Sequence, residues 1–72
     1  MEVHQLAELA DRIMDALMVD PRTKNGQFDV FTNRGIVTLQ GTVNKEETRQ
    51  AAEEITREQE GVITVFNEIK VS

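Results

Sequence analysis

Apolar and polar residues recur with two different periods along this chain, and the places where the period changes mark its elements. From Glu2 to Val19 the period is helical. On a wheel of about 100° per residue, Leu6, Ala10, Ile13 and Leu17 form one stripe, flanked by Val3 and Leu9. Glu8, Asp11, Arg12 and Asp15 cover the opposite side, and Glu2 suits the positive end of the helix dipole. Ala7, Met14 and Met18 widen the apolar stripe to nearly half the cylinder, more than contact with a single sheet requires. Pro21 cannot continue a helix and disfavours helical geometry at Asp20, so the helix is expected to end near Val19. Asp20 to Gly26 then reads as a surface loop.

After Gly26 the period becomes two. Phe28, Val30 and Thr32 alternate with Asp29 and Phe31, and Val37 and Leu39 alternate with Thr38 and Gln40. Parity decides the turn between these strands. A two-residue loop at Arg34-Gly35 pairs Thr32 with Val37 and Val30 with Leu39, keeping all four on one face. A three-residue loop pairs Val30 with Thr38 and mixes the faces. The even loop is therefore expected.

Asn44 then offers a helix N-cap, with Glu47 placed to complete a capping box. The helix expected from about Lys45 to Glu60 has a thin apolar face of Ala51, Ala52 and Ile55, and Gly61 supplies its stop. From Val62 to Val71 the alternation returns, with Val65, Asn67 and Ile69 on one side and Thr64, Phe66 and Glu68 on the other. A helix of about sixteen residues spans roughly 24 Å, enough to return the chain for a parallel strand by a right-handed crossover. The expected fold is α+β: order αββαβ, with two helices packed on one face of a three-stranded mixed sheet. Its core should hold Leu6, Ile13, Leu17, Val30, Leu39, Ile55, Val65 and Ile69.

Length and charge narrow what such a fold could do. Seventy-two residues form one domain spanning residues 1–72, and a core this small buries only roughly 60% of the chain's surface. Eight basic against 13 acidic side chains give a net charge of -5, which opposes binding to nucleic acid and simple attraction to anionic lipid heads. Without cysteine there is neither a disulfide framework nor a thiolate metal site. The sequence as given shows no transmembrane run and no export signal. The expectation is thus a cytoplasmic location as it stands, or the periplasm or envelope if it is a piece of a larger protein.

Chemistry-bearing constellations are scarce. The spacing of Gly35, Gly41 and Gly61 matches no phosphate-binding motif, and a hairpin turn, a strand end and a helix stop account for the three. His4 and Glu8 make half of a metal-binding pair, with no second histidine to complete it, so no metal or cofactor is expected. A single histidine near the terminus cannot assemble a catalytic triad, and the expectation is a protein that is not an enzyme. Asn67 shares the inward face with Val65 and Ile69. A buried amide must find partners, so its side chain is expected to hold the backbone of a neighbouring loop, with a ligand role as the alternative. Phe31, Ile36 and Phe66 point away from the helices and form a candidate contact patch for a lipid, a protein partner or a second copy. Met14 and Met18 pose the same question on the first helix, where packing against the alanine face around Ala52 is the ordinary outcome.

These features together resemble the BON domain, named for bacterial osmotic-shock and nodulation proteins. The matching stretches are ALMVDP at the end of the first helix, FDVFTNRGIVTLQGTV, Ala51-Ala52, and GVITVFNEIKV. The family's pattern falls on Gly35, Ile36, Leu39, Gly41, Val43, Gly61, Val62, Val65, Asn67, Ile69 and Val71, with Thr32 where an aliphatic residue is commoner. The likeness covers nearly the whole chain as a single copy, whereas family members often occur in tandem or beside other domains. It implies the same two-helix, three-stranded fold. It also implies a non-enzymatic interaction module that binds phospholipid membranes or envelope partners. A second implication is cytoplasmic potassium sensing, as in BON proteins that carry a LysM domain, and a third is a protein–protein interaction domain of a larger protein. A monomer or weak dimer is expected.

Overall fold

Two helices and three strands follow in the expected order in a computed structural model that describes residues 8–72. They are α1 (Leu9–Val19), β1 (Gln27–Asn33), β2 (Ile36–Val43), α2 (Glu46–Arg57) and β3 (Thr64–Val71). The expected start of the first helix at Glu2, and Leu6 of the expected core, lie outside the described residues.

The hairpin has the even loop. Arg34 (φ 54°) and Gly35 (φ 87°) both take positive φ, the signature of the two-residue type I′ turn whose twist matches that of the strands. Val30 pairs with Leu39 and Thr32 with Val37, as parity requires. β3 pairs parallel to β2, so β2 is central and β1 and β3 are the edges. α1 packs over β1 and α2 over β3, and the helices touch each other above the sheet.

Ile13, Leu17, Val37, Leu39, Val43, Ala52, Ile55 and Ile69 make the buried cluster between the layers. Val30 and Val65, expected in the core, are only half-buried, because each sits on an edge strand where one flank lacks a neighbour. Ala51 and Ala52 are buried and let α2 lie close to its neighbours.

Local chemistry shifts several boundaries. Lys45, not Asn44, caps α2, and no side chain bonds the helix start, so the capping box does not form. Lys45 is extended (φ -141°, ψ 143°), which places the first helical turn one residue later than Asn44 could reach. α2 ends at Arg57, ahead of Gly61, and the chain turns through Gln59 N–H to Thr56 C=O and Val62 N–H to Gln59 C=O bonds. β3 accordingly begins at Thr64. Gly41 does not end a strand. It lies inside β2 opposite Phe28, where an added Cβ would stand 2.0 Å from the Gln27 carbonyl oxygen. The loop after α1 is not all surface either. Thr23 is buried and its hydroxyl donates to the Leu17 carbonyl at 2.6 Å, satisfying one of the orphan acceptors at the helix end.

Candidate interaction surface

With both helices on one side, the second face of the sheet is left uncovered by the described residues. Strand alternation sends Asp29 and Phe31 of β1, Ile36, Thr38 and Gln40 of β2, and Phe66 and Glu68 of β3 to that face. The two registers then align these side chains in rows. Phe31, Thr38 and Phe66 form one continuous row across all three strands, and Asn33, Ile36 and Thr64 form the next, beside the turn. Ile63, just before β3, lies beside the hairpin turn, where its N–H donates to the Gly35 carbonyl at 2.7 Å. Phe31 is 55% exposed, Phe66 53%, Ile36 43% and Ile63 75%. Neutral side chains alone fill the two rows at this end of the face. Acidic ones begin one row further on, where Asp29, Gln40 and Glu68 align and the Gln40 amide donates to Glu68 Oε1 at 3.0 Å.

The structure thus brings together three of the candidate contact residues, Phe31, Ile36 and Phe66, and separates them from the other two. Met14 and Met18 are on α1, on the covered side of the sheet. Met18 is 62% exposed and does not pack on the alanine face of α2. The geometry of α1 explains this: Arg12 donates to the Glu60 carbonyl at 3.2 Å and so turns its own flank toward the end of α2 and the turn that follows it. Met14 and Met18 lie on the opposite flank. The sequence reading missed Ile63, since its place beside the hairpin turn depends on the crossover and not on local alternation.

Asn67 serves the architecture. Its Nδ2 donates to the Arg49 carbonyl at 2.9 Å and to Glu53 Oε1 at 3.3 Å, and its Oδ1 accepts from the Ile69 N–H at 3.1 Å. The backbone it holds belongs to helix α2, not to a loop, and the residue is half-buried between α2 and β3.

Elsewhere the polar groups pair off along the surface. Arg22 bridges Asp20 and Glu54, tying the loop after α1 to α2, and Arg49 binds Glu46. The Arg22 hydrogen bonds hold the Asp20 carboxyl below its ordinary range, and the Arg49 hydrogen bond does the same for Glu46. A polar groove lined by Arg22, Asn25, Lys45 and Thr48 opens at the start of α2. Among the described residues no group of three His, Asp or Glu side chains is placed to hold a metal, and His4 lies outside them. No helix among them is long and apolar enough to cross a membrane.

The BON domain family model matches residues 5–72, taking in every described element. The chain belongs to the BON domain family. None of the curated proteins matches it. At family level a BON domain is a membrane- or partner-binding module. In this BON domain the exposed large apolar side chains among the described residues are Phe31, Ile36 and Phe66 on the open sheet face, Ile63 beside the hairpin turn, Met18 and Val19 at the end of α1, and Val71 at the end of β3.

Proposed function

We propose that this BON domain is a non-enzymatic contact module that docks on a phospholipid surface through the turn end of its open sheet face. One observation carries the reading: Phe31, Ile36 and Phe66 stand together, each about half-exposed, on a face that nothing in the described chain covers. Side chains that form a core do so on the other face, so these are not needed for stability and are free to enter an apolar phase. The net charge of -5 repels anionic headgroups, which leaves apolar insertion as the source of affinity. At ~25 cal/mol per Å² of apolar area, burying two such rings yields a few kcal/mol. After association costs the affinity should be micromolar to millimolar.

Co-sedimentation with phospholipid vesicles at low and high salt tests this. Wild type should bind weakly and almost independently of salt, and Phe31→Ser/Phe66→Ser should abolish binding while Met14→Ser/Met18→Ser keeps it. Tight binding that salt removes would refute the apolar mechanism. Absence of binding under every condition would refute the lipid reading and point to a protein partner for the same face.

A further inference from the structure

Among the described residues β1 has an unpaired outer edge, and its bonding groups can be assigned. Residues flanking a two-residue turn exchange hydrogen bonds, and the pattern alternates from there. Asn33, Phe31, Asp29 and Gln27 therefore direct their backbone groups at β2, and Phe28, Val30 and Thr32 direct theirs outward. No backbone group of the described residues reaches that edge. Of the devices that usually guard an edge β1 carries only the charge of Asp29: it holds no lysine and no proline, and its register with β2 runs without a bulge.

Directly above this edge runs the outer flank of α1, with Ala10, Met14 and Met18 facing away from α2. Met18 is largely exposed, and Ala10 and Met14 are half-buried. The core-facing side chains of β1 below them, Phe28, Val30 and Thr32, are half-buried too. Partly exposed side chains of α1 and β1 thus lie along the same side of the domain as the strand edge.

We infer that two copies of this domain pair through their β1 edges, giving one six-stranded sheet with the two α1 helices side by side above the junction. A peptide strand would satisfy the edge but leave the methionine flank bare. The occupant has to offer a strand with an apolar helix flank stacked above it at the same height, and this chain's own edge offers both. A two-fold axis through Val30 sets Val30 against Val30 of the second copy and Phe28 against its Thr32, which uses every outward backbone group and makes the contact isologous. On the open face the same register puts Gln27 beside Asn33 of the second copy, two amides able to hydrogen-bond. Asp29 falls opposite Phe31, so no like charges stand directly opposite each other. A strand pair alone buries less than the roughly 800 Å² per partner of a standard interface, so the methionine flank has to contribute. Each copy carries -5, so salt should tighten the dimer by screening the repulsion.

Sedimentation equilibrium of the full chain, with amide exchange by NMR across a concentration series, tests the proposal independently of lipid binding. A reversible monomer–dimer equilibrium is expected, strengthened by salt, with concentration-dependent protection of the Phe28, Val30 and Thr32 amides. Met18→Glu, at an exposed position that the fold does not need, should weaken the dimer roughly tenfold or more. Phe66→Ser, which strips the open face, should leave it unchanged. A chain that stays monomeric at all concentrations would overturn the inference. So would a dimer whose protection maps away from β1, one indifferent to Met18→Glu, or one dissolved by Phe66→Ser.

Discussion

Single residues carry more of this fold than their exposure suggests. Asn67 joins three backbone and side-chain groups of α2 and β3. Removing its amide takes the second bond from the Arg49 carbonyl and leaves the Ile69 N–H short of its partner, so Asn67→Ala should cost about 1–3 kcal/mol in urea denaturation. Gly41 is stricter. Its φ of 143° and the Gln27 carbonyl across the pair leave no room for a Cβ. Gly41→Ala should therefore cost at least the ~1–3 kcal/mol of a strained backbone and break the local β1–β2 pairing, visible as fast amide exchange near Gln27. Acid acts through the exposed pairs. Asp20 and Glu46 have carboxyls depressed by hydrogen bonds from Arg22 and Arg49. A group whose folded pKa is depressed adds stability above its unfolded pKa, and that stability is lost as pH falls through the folded value. The denaturation midpoint should thus fall on acidification below about pH 4, and Arg22→Met together with Arg49→Met should flatten that fall.

Among the elements, α2 depends most on a single side chain. Its apolar face is Ala51, Ala52 and Ile55, so only Ile55 reaches far into the cluster with Leu39 and Ile69. Ile55→Ala should cost about 2–5 kcal/mol, enough to unfold a large share of a 72-residue domain at ambient temperature. The elements were also the most legible level of the sequence. Parity alone settled the register of Val30 with Leu39, because a slip by one residue would turn the whole apolar set of β1 to the wrong face. The crossover length settled the parallel pairing of β2 with β3. What stayed illegible depended on contacts distant in sequence. Thr23 looks like any loop threonine until α1 places the Leu17 carbonyl above it. Ile63 comes to lie beside the hairpin turn only because the crossover returns the chain there. Lys45 displaced Asn44 as the cap because β2 runs on to Val43 and leaves the chain extended there. The patch of Phe31, Ile36 and Phe66 was readable from strand alternation, but the separation of Met14 and Met18 from it required the Arg12 contact to orient α1.

On the scale of the whole molecule the two sides of the sheet have different duties. One is spent on the core, and the other keeps its aromatic rings in water. Vesicle binding should therefore respond to Phe31 and Phe66 and hardly to the charges of α1, and Asp11→Asn/Asp15→Asn should change it less than Phe31→Ser/Phe66→Ser does. The same two aromatic substitutions should leave the thermal midpoint nearly unchanged, because exposed side chains away from special contacts usually shift stability within about ±0.5 kcal/mol. A large loss of stability would mean that the open face is part of the fold after all.

The parallel placement of β3 also sets when this surface can exist. The β1–β2 hairpin is local and can close in roughly 1–10 μs. Ile36 meets Thr64, however, only after the intervening chain has folded back through α2. During synthesis Phe31 and Ile36 emerge well before Phe66, and the row across the sheet is complete only once the residues through Val71 are free of the ribosome. Until then the β2 edge, with the backbone groups of Val37, Leu39 and Gly41, has no strand beside it. The open sheet face is thus the last part of the domain to be completed, and its full row of side chains exists only once the rest of the fold is in place.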